Sequence, residues 1–285
     1  MRKVVGPARV ELVDVPFHPQ EEHHCGPAAL LTVLEASGAE PAYTAVVERV
    51  YVPGLEGSLQ AEMSATARHF GRVAYGPPPD PAAVFGEVAA GRPVLVLLNL
   101  GLPARPFWHY AVVVGFDPAR NQILMRSGQD ERLRVNARKW LRQWDWAGRW
   151  ALVTLRPGEW PARPDRRRLL QALADFETAG DPAAARRAWR TASDHWPREL
   201  AVWLGLGNAA HALSDHPAAE AAYRRALALD ADYWPARLNL ASTLLDAGRA
   251  CDGLELVGGG PGSFDRLHAV YLDLAISLRE ACPPD

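Results

Sequence analysis

Cys25 stands directly before Gly26 and Pro27, at the head of the apolar stretch 28–34. Proline suits a first helical turn, where its missing N–H would have been unpaired anyway. The sequence therefore predicts a helix that starts at the cysteine and closes at Gly38. A thiol at a helix start meets the positive end of the peptide dipoles and unpaired backbone N–H groups, which favour the nucleophilic thiolate. The same N–H groups can hold the oxyanion of an acyl-transfer reaction. Taken alone, such a cysteine reads as readily as an inert buried thiol. Two further residues turn the balance. Gln20 lies five residues upstream in PFHPQEEHHC, near enough to fold back and donate its amide to that oxyanion. His109 lies downstream at the mouth of the strand-like YAVVVGF, where an imidazole is held well enough to act as base and then as acid.

These residues need a scaffold. Asp80-Pro81 opens a helix with Gly91 past its end, Ser58 is a candidate cap for a helix ended by Gly71, and Asn136 caps a tryptophan-rich helix. Buried strands are expected over 94–100, 110–116, 122–125 and 150–155. Helices first and strands second is the pattern of an α+β domain. The proline-rich PGEWPARP then separates a first domain, 1–160, from a second, 165–285, in which everything reads helical.

The second half repeats every 34 residues: Trp189 and Tyr223, Ala185 and Ala219, Ala192 and Ala226. The fullest unit, 200–233, carries Trp203, Leu206 and Gly207 on one helix and Ala219, Tyr223 and Ala226 on the next. This pattern resembles the tetratricopeptide repeat, in about three copies, the last degenerate where Gly258-Gly259-Gly260-Pro261-Gly262 interrupts its second helix. The resemblance implies a concave face that recruits a protein partner or substrate.

VPFHPQEEHHCGPAALLTVL followed by WHYAVVVGFD resembles the C39-like branch of papain-fold cysteine peptidases, and over about 12–156 is most similar to a bacterial lipoprotein-type subgroup that couples such a domain to tetratricopeptide repeats. The resemblance implies an α+β papain-like fold, Cys25 as nucleophile, His109 as base and Gln20 in the oxyanion hole. The family follows its histidine strand with a second strand ending in an aspartate that orients the imidazole. Here that strand reads NQILMRSG and sets Ser127 in the aspartate's place. Asp117 reads as a turn residue before Pro118, and Asp130 and Asn99 are further alternatives. Trp108, next to His109, is the aromatic expected to touch substrate; Trp140, Trp144, Trp146 and Trp150 serve the core or a lid equally well.

The expected activity is thus peptide or protein cleavage by thiol acyl transfer. A catalytically weak interaction protein using the same cleft, and transfer to an amine instead of water, are the alternatives. With 31 basic and 33 acidic residues the chain gives no electrostatic reason for a nucleic-acid partner. No apolar run approaches the ~20 residues of a spanning helix, so no direct membrane insertion is expected. His23 and His24 point to opposite sides of an extended segment and lack companions, so neither a metal nor another cofactor is expected. Cys251 and Cys282 could in principle pair, but are read as ordinary buried thiols. No signal peptide is visible; the resemblance suggests an exported or envelope-associated protein if a targeting segment has been removed.

Overall fold

A computed structural model describes residues 9–20, 24–261 and 267–282. The chain forms two compact units, Met1–Ala179 and Gly180–Asp285.

In the first unit a short strand β1 (Val10–Glu11) precedes helix α1 (Cys25–Ala36). Gly26 through Leu34 are buried, so α1 is a central helix surrounded by other elements. It ends at Gly38, whose φ of +80° is the left-handed conformation that a glycine adopts without strain. Then come α2 (Tyr43–Val50), the hairpin of β2 (Tyr51–Val52) and β3 (Gly57–Ser58), and α3 (Gln60–His69). Ser58 does not cap α3. It belongs to β3, paired with Tyr51, and its hydroxyl has no hydrogen-bond partner. The hairpin is drawn instead onto the start of α1, where a Cβ on Gly26 would lie 2.3 Å from Ser58 Oγ. Glycine beside the cysteine is thus a packing requirement.

Next follow β4 (Val73–Tyr75), α4 (Pro81–Ala89), β5 (Val94–Asn99), β6 (Trp108–Asp117), β7 (Gln122–Ser127), β8 (Asp130–Asn136), α5 (Ala137–Asp145) and β9 (Ala151–Leu155). Asp80 and Asn136 cap α4 and α5 as expected, accepting from Ala82 N–H and from Arg138 and Lys139 N–H. The strands form one antiparallel sheet in the order β4-β9-β5-β6-β7-β8, with β1 against β6. Alternation along a strand sends side chains to opposite faces. Leu95, Leu97, Tyr110, Val112 and Leu124 meet Leu30 and Leu34 of α1, while α4 and α5 serve the other face, where Phe85 contacts both Phe116 and Trp140. β8 escapes the sequence reading because DERLRVN offers only Leu133 and Val135 as apolar alternates; pairing with β7 makes it a strand.

The proline-rich segment is not the border between the units. Tyr75 Oη donates to Arg163 O and accepts from Asp165 N–H, and Glu87 accepts from Ala162 N–H, so 161–165 are sewn to the first unit. The next helix, α6 (Arg166–Ala179), packs on β4 and α3 and belongs there too. Cutting the chain after Ala179 should therefore leave a cooperatively melting fragment. Cutting at Pro161 should cost about 3 kcal/mol or more, because Leu169, Leu173 and Phe176 leave their buried positions. Equal thermal melts for the two fragments would show that α6 is dispensable.

Among the described residues the second unit has six helices and no strand: α7 (Pro182–His195), α8 (Leu200–Ala212), α9 (His216–Leu229), α10 (Trp234–Asp246), α11 (Ala250–Leu256) and α12 (His268–Ala281). Its glycines seat large rings. A Cβ on Gly205 would fall 2.2 Å from the Trp189 indole, and one on Gly207 2.4 Å from the Tyr223 ring. The third unit degrades as expected, α11 stopping before Gly258. Contrary to expectation, Cys251 and Cys282 form a disulfide, with Cα atoms 5.1 Å apart. The packing of α12 back on α11 brings them together, which their separation of 31 residues does not reveal. Such a loop closure contributes about 3–4 kcal/mol in the chain-entropy treatment.

Candidate active site

Cys25 is the first residue of α1. No side chain caps this helix end. Pro27 has no N–H, and Ala28 N–H is bonded to His24 O. The N–H groups of Cys25 and Gly26 are thus the donors of the first turn left for other use, and both face the Cys25 thiol, together with the N–H of Tyr110 from β6. Burial nevertheless pushes the thiol up, against the pull of these three amides. Burial also pushes His109 down. The pull toward thiolate expected at a helix start is thus opposed by burial of the thiol, and burial likewise disfavours the imidazolium. Alkylation of Cys25 by iodoacetamide should then keep rising above the ordinary thiol range of about 8.5. A rate already level from pH 6 upward would show a preformed ion pair instead.

His109 is buried, on β6 immediately before Tyr110. Its Nε2 lies 2.8 Å from Ser127 Oγ, on the neighbouring strand β7. If the hydroxyl accepts from Nε2–H, Nδ1 keeps its lone pair. No hydrogen bond joins that imidazole to the Cys25 thiol; the thiol lies instead beneath the N–H of the next residue, Tyr110. Asp117 is occupied in a turn, accepting from the backbone and side chain of Arg120. Asn99 is buried and spends its Oδ1 on Gly101 N–H and Phe107 N–H. Asp130 is exposed. Of the acceptors weighed from the sequence, Ser127 alone meets the imidazole.

Gln20 lines the same cavity as Cys25, Tyr110 and Ser127, a space of about 10 Å³, room for about one water. Its backbone is tied to the β7–β8 turn: its N–H donates to Gly128 O at 3.2 Å, and its carbonyl accepts from Gln129 Nε2 at 2.6 Å. Its Oε1 is buried without a partner. The two ends of an amide are told apart only by their partners, so either end can face this cavity. His24 precedes the helix, with Nδ1 3.2 Å from Tyr43 Oη; His23 lies outside the described residues. No cluster of metal-ligating side chains occurs among the described residues. Trp108 is exposed beside the site, whereas Trp140 and Trp144 are core.

Sequence reasoning missed Arg126. It lines the cavity of Cys25, is buried, and donates to the carbonyls of Val13, Val15 and Glu131. It thereby holds the segment leading to Gln20 against β7. A lone arginine in the apolar run ILMRS was the signal available.

Residues 12–150 match the Peptidase_C39 like family, and residues 169–233 match the tetratricopeptide repeat family. The chain joins a C39-like peptidase domain to tetratricopeptide repeats. Among solved structures, a chain described as a C39-like peptidase from Bacillus anthracis is similar at 16% identity and a TM-score of 0.44, over 52% of this chain and 97% of that one. The peptidase domain of Streptococcus ComA, a bifunctional ABC transporter involved in a quorum-sensing pathway, is similar at 19% identity and a TM-score of 0.39, over 49% of this chain and 96% of that one. No curated protein matches. The C39-like match ends within the sheet, before β9, and the repeat match begins inside α6, although that helix packs with the C39-like unit.

Proposed function

We propose that the C39-like domain is a cysteine peptidase in which Cys25 is the nucleophile, His109 the base and acid, and Gln20 an oxyanion donor. The observation that carries this reading is the Cys25 thiol at the head of α1, faced by the N–H groups of Cys25, Gly26 and Tyr110, with His109 one residue before Tyr110 on β6 and its Nε2 2.8 Å from Ser127 Oγ. In the reaction the imidazole takes the thiol proton as sulfur attacks the scissile carbonyl. The N–H groups of Cys25 and Gly26, with the Gln20 amide, stabilise the oxyanion. The C–N bond then breaks as the imidazolium returns its proton to the departing amine. Water, deprotonated by the same imidazole, hydrolyses the thioester and regenerates the thiol. The tetratricopeptide repeats recruit a protein partner or the substrate through their concave face.

The reading is tested by incubating the full chain with peptide libraries and identifying fragments by mass spectrometry, beside labelling by a thiol-reactive acyl probe. Fragments lost on alkylation of Cys25 support it. A chain that binds peptides, takes up no probe and cuts nothing supports the second reading, a binding cleft without turnover. The upward push of burial on the partly covered thiol, and a serine rather than a carboxylate on His109, favour that alternative.

Ser127 offers a graded test. It can fix the imidazole tautomer but supplies no charge to stabilise imidazolium. Exchanging the carboxylate of a serine-protease triad for an amide costs about 10⁴ in turnover; a thiol nucleophile depends on that partner less, because its proton is more easily removed. Ser127→Ala should therefore lower kcat within about tenfold, and Ser127→Asp should keep or raise it. Steady-state kinetics showing a loss near 10⁴-fold for the alanine variant would give the hydroxyl a larger role.

A further inference from the structure

Helix α5 packs on β5, β7 and β8, on the face of the sheet opposite α1. Lys139 and Gln143, four residues apart, lie on one side of this helix, and both line a cavity of about 370 Å³ between it and the strands. Gln143 is only 7% exposed, yet its side-chain amide has no hydrogen-bond partner among the described residues. A buried amide that no protein group satisfies needs water or a ligand. The other polar groups around the cavity favour a ligand. Arg134 of β8 and Lys139 bring two exposed positive charges to its rim, and neither is held in an ion pair among the described residues. Asn136 spends its Oδ1 on the N–H groups of Arg138 and Lys139, which leaves its NH₂ as a donor. Ser127 and His109, hydrogen-bonded to each other at 2.8 Å, complete the polar lining. No aspartate or glutamate lines this space. Arg134 also borders a second hollow, where Asp117 is already bound to Arg120.

Cations and amide donors with no carboxylate among them suit an oxyanion, and the volume is that of the smaller ligand pockets. We propose that this cavity binds a small organic anion, a carboxylate or a phosphate ester, held by Arg134, Lys139 and the Gln143 amide. The site does not depend on the chemistry of Cys25, which lies at the head of α1. It does border His109. The charged groups facing the cavity with that imidazole are Arg134 of β8 and Lys139 of α5, while β5 and β7 present only uncharged side chains there. A bound anion therefore favours the imidazolium and opposes the burial that pushes His109 down.

The experiment titrates the full chain with benzoate, phenyl phosphate and neutral benzamide, at an ionic strength held constant with sodium chloride. The Gln143 side-chain amide and the His109 imidazole are followed by NMR. Saturable shifts are expected with at least one of the two anions, and the titration midpoint of His109 should rise once the site is filled. Arg134→Gln and Lys139→Gln should each weaken the binding about tenfold or more, the worth of a charge-assisted hydrogen bond. Both side chains are exposed, so these variants should fold. Gln143→Leu should also weaken binding while leaving the thermal midpoint unchanged or higher, since the amide gives up no protein partner. Saturation by phenyl phosphate alone assigns a phosphate ester, by benzoate alone a carboxylate, and by both the wider class. Shifts that never saturate, that benzamide reproduces, or that survive both Arg134→Gln and Lys139→Gln overturn the proposal. No readout uses peptide cleavage, so this result and the fate of the peptidase reading are separate.

Discussion

Replacing Cys25 by alanine should reduce peptide hydrolysis by about 10⁴-fold or more while moving the thermal midpoint little. The magnitude follows from covalent catalysis: without a nucleophile the remaining groups can only polarise the carbonyl, and triad enzymes that lose theirs fall by up to about 10⁶ in kcat. The small effect on stability follows from position. Cys25 borders a cavity at the end of α1 and is only partly covered, whereas the apolar contacts of that helix are made by Leu30, Leu31, Val33 and Leu34. A loss of about 1 kcal/mol or less is expected. Differential scanning calorimetry beside the kinetics separates the two roles. A variant that unfolds would make Cys25 a core residue, and one that keeps its activity would remove it from the chemistry.

Gln20→Ala should lower kcat by about 100- to 1000-fold and change KM far less. Removing one oxyanion donor has this cost because the charge it meets exists only in the transition state. The tertiary setting supports the assignment: the backbone of Gln20 is held at both its N–H and its carbonyl, and the residue lines the cavity of Cys25. Its partnerless buried amide end is what an oxyanion would satisfy once the NH₂ faces it. Gln20→Glu sharpens the test, since a carboxylate of similar shape repels the developing charge and should be at least as slow as alanine. Unchanged turnover in either variant would leave the oxyanion to the N–H groups of α1 alone.

The linear sequence determined the parts whose physics is local. A helix beginning at Cys25 follows from Pro27, the apolar run and Gly38. The strand behind His109 follows from an unbroken apolar stretch that the sheet buries on both faces. The repeats follow from small residues that return every 34 positions opposite large ones, as Gly207 opposite Tyr223 shows. Even the meeting of His109 with Ser127 was accessible, because neighbouring strands bring residues of like face together.

What tertiary structure alone decided depends on groups far apart in the chain. Burial pushes Cys25 up and His109 down, against the helix-start N–H groups that local reasoning counted and the N–H of Tyr110 that only the fold brings to the thiol. Helix α6 reads as the start of the repeats but packs on β4, because Tyr75 and Glu87 capture the segment before it. Cys251 and Cys282 pair because α12 packs back on α11. The role of Arg126 required knowing which carbonyls the N-terminal segment brings to β7. Local preference is encoded within a few residues, whereas desolvation and long-range hydrogen bonding appear only once the chain has closed around them.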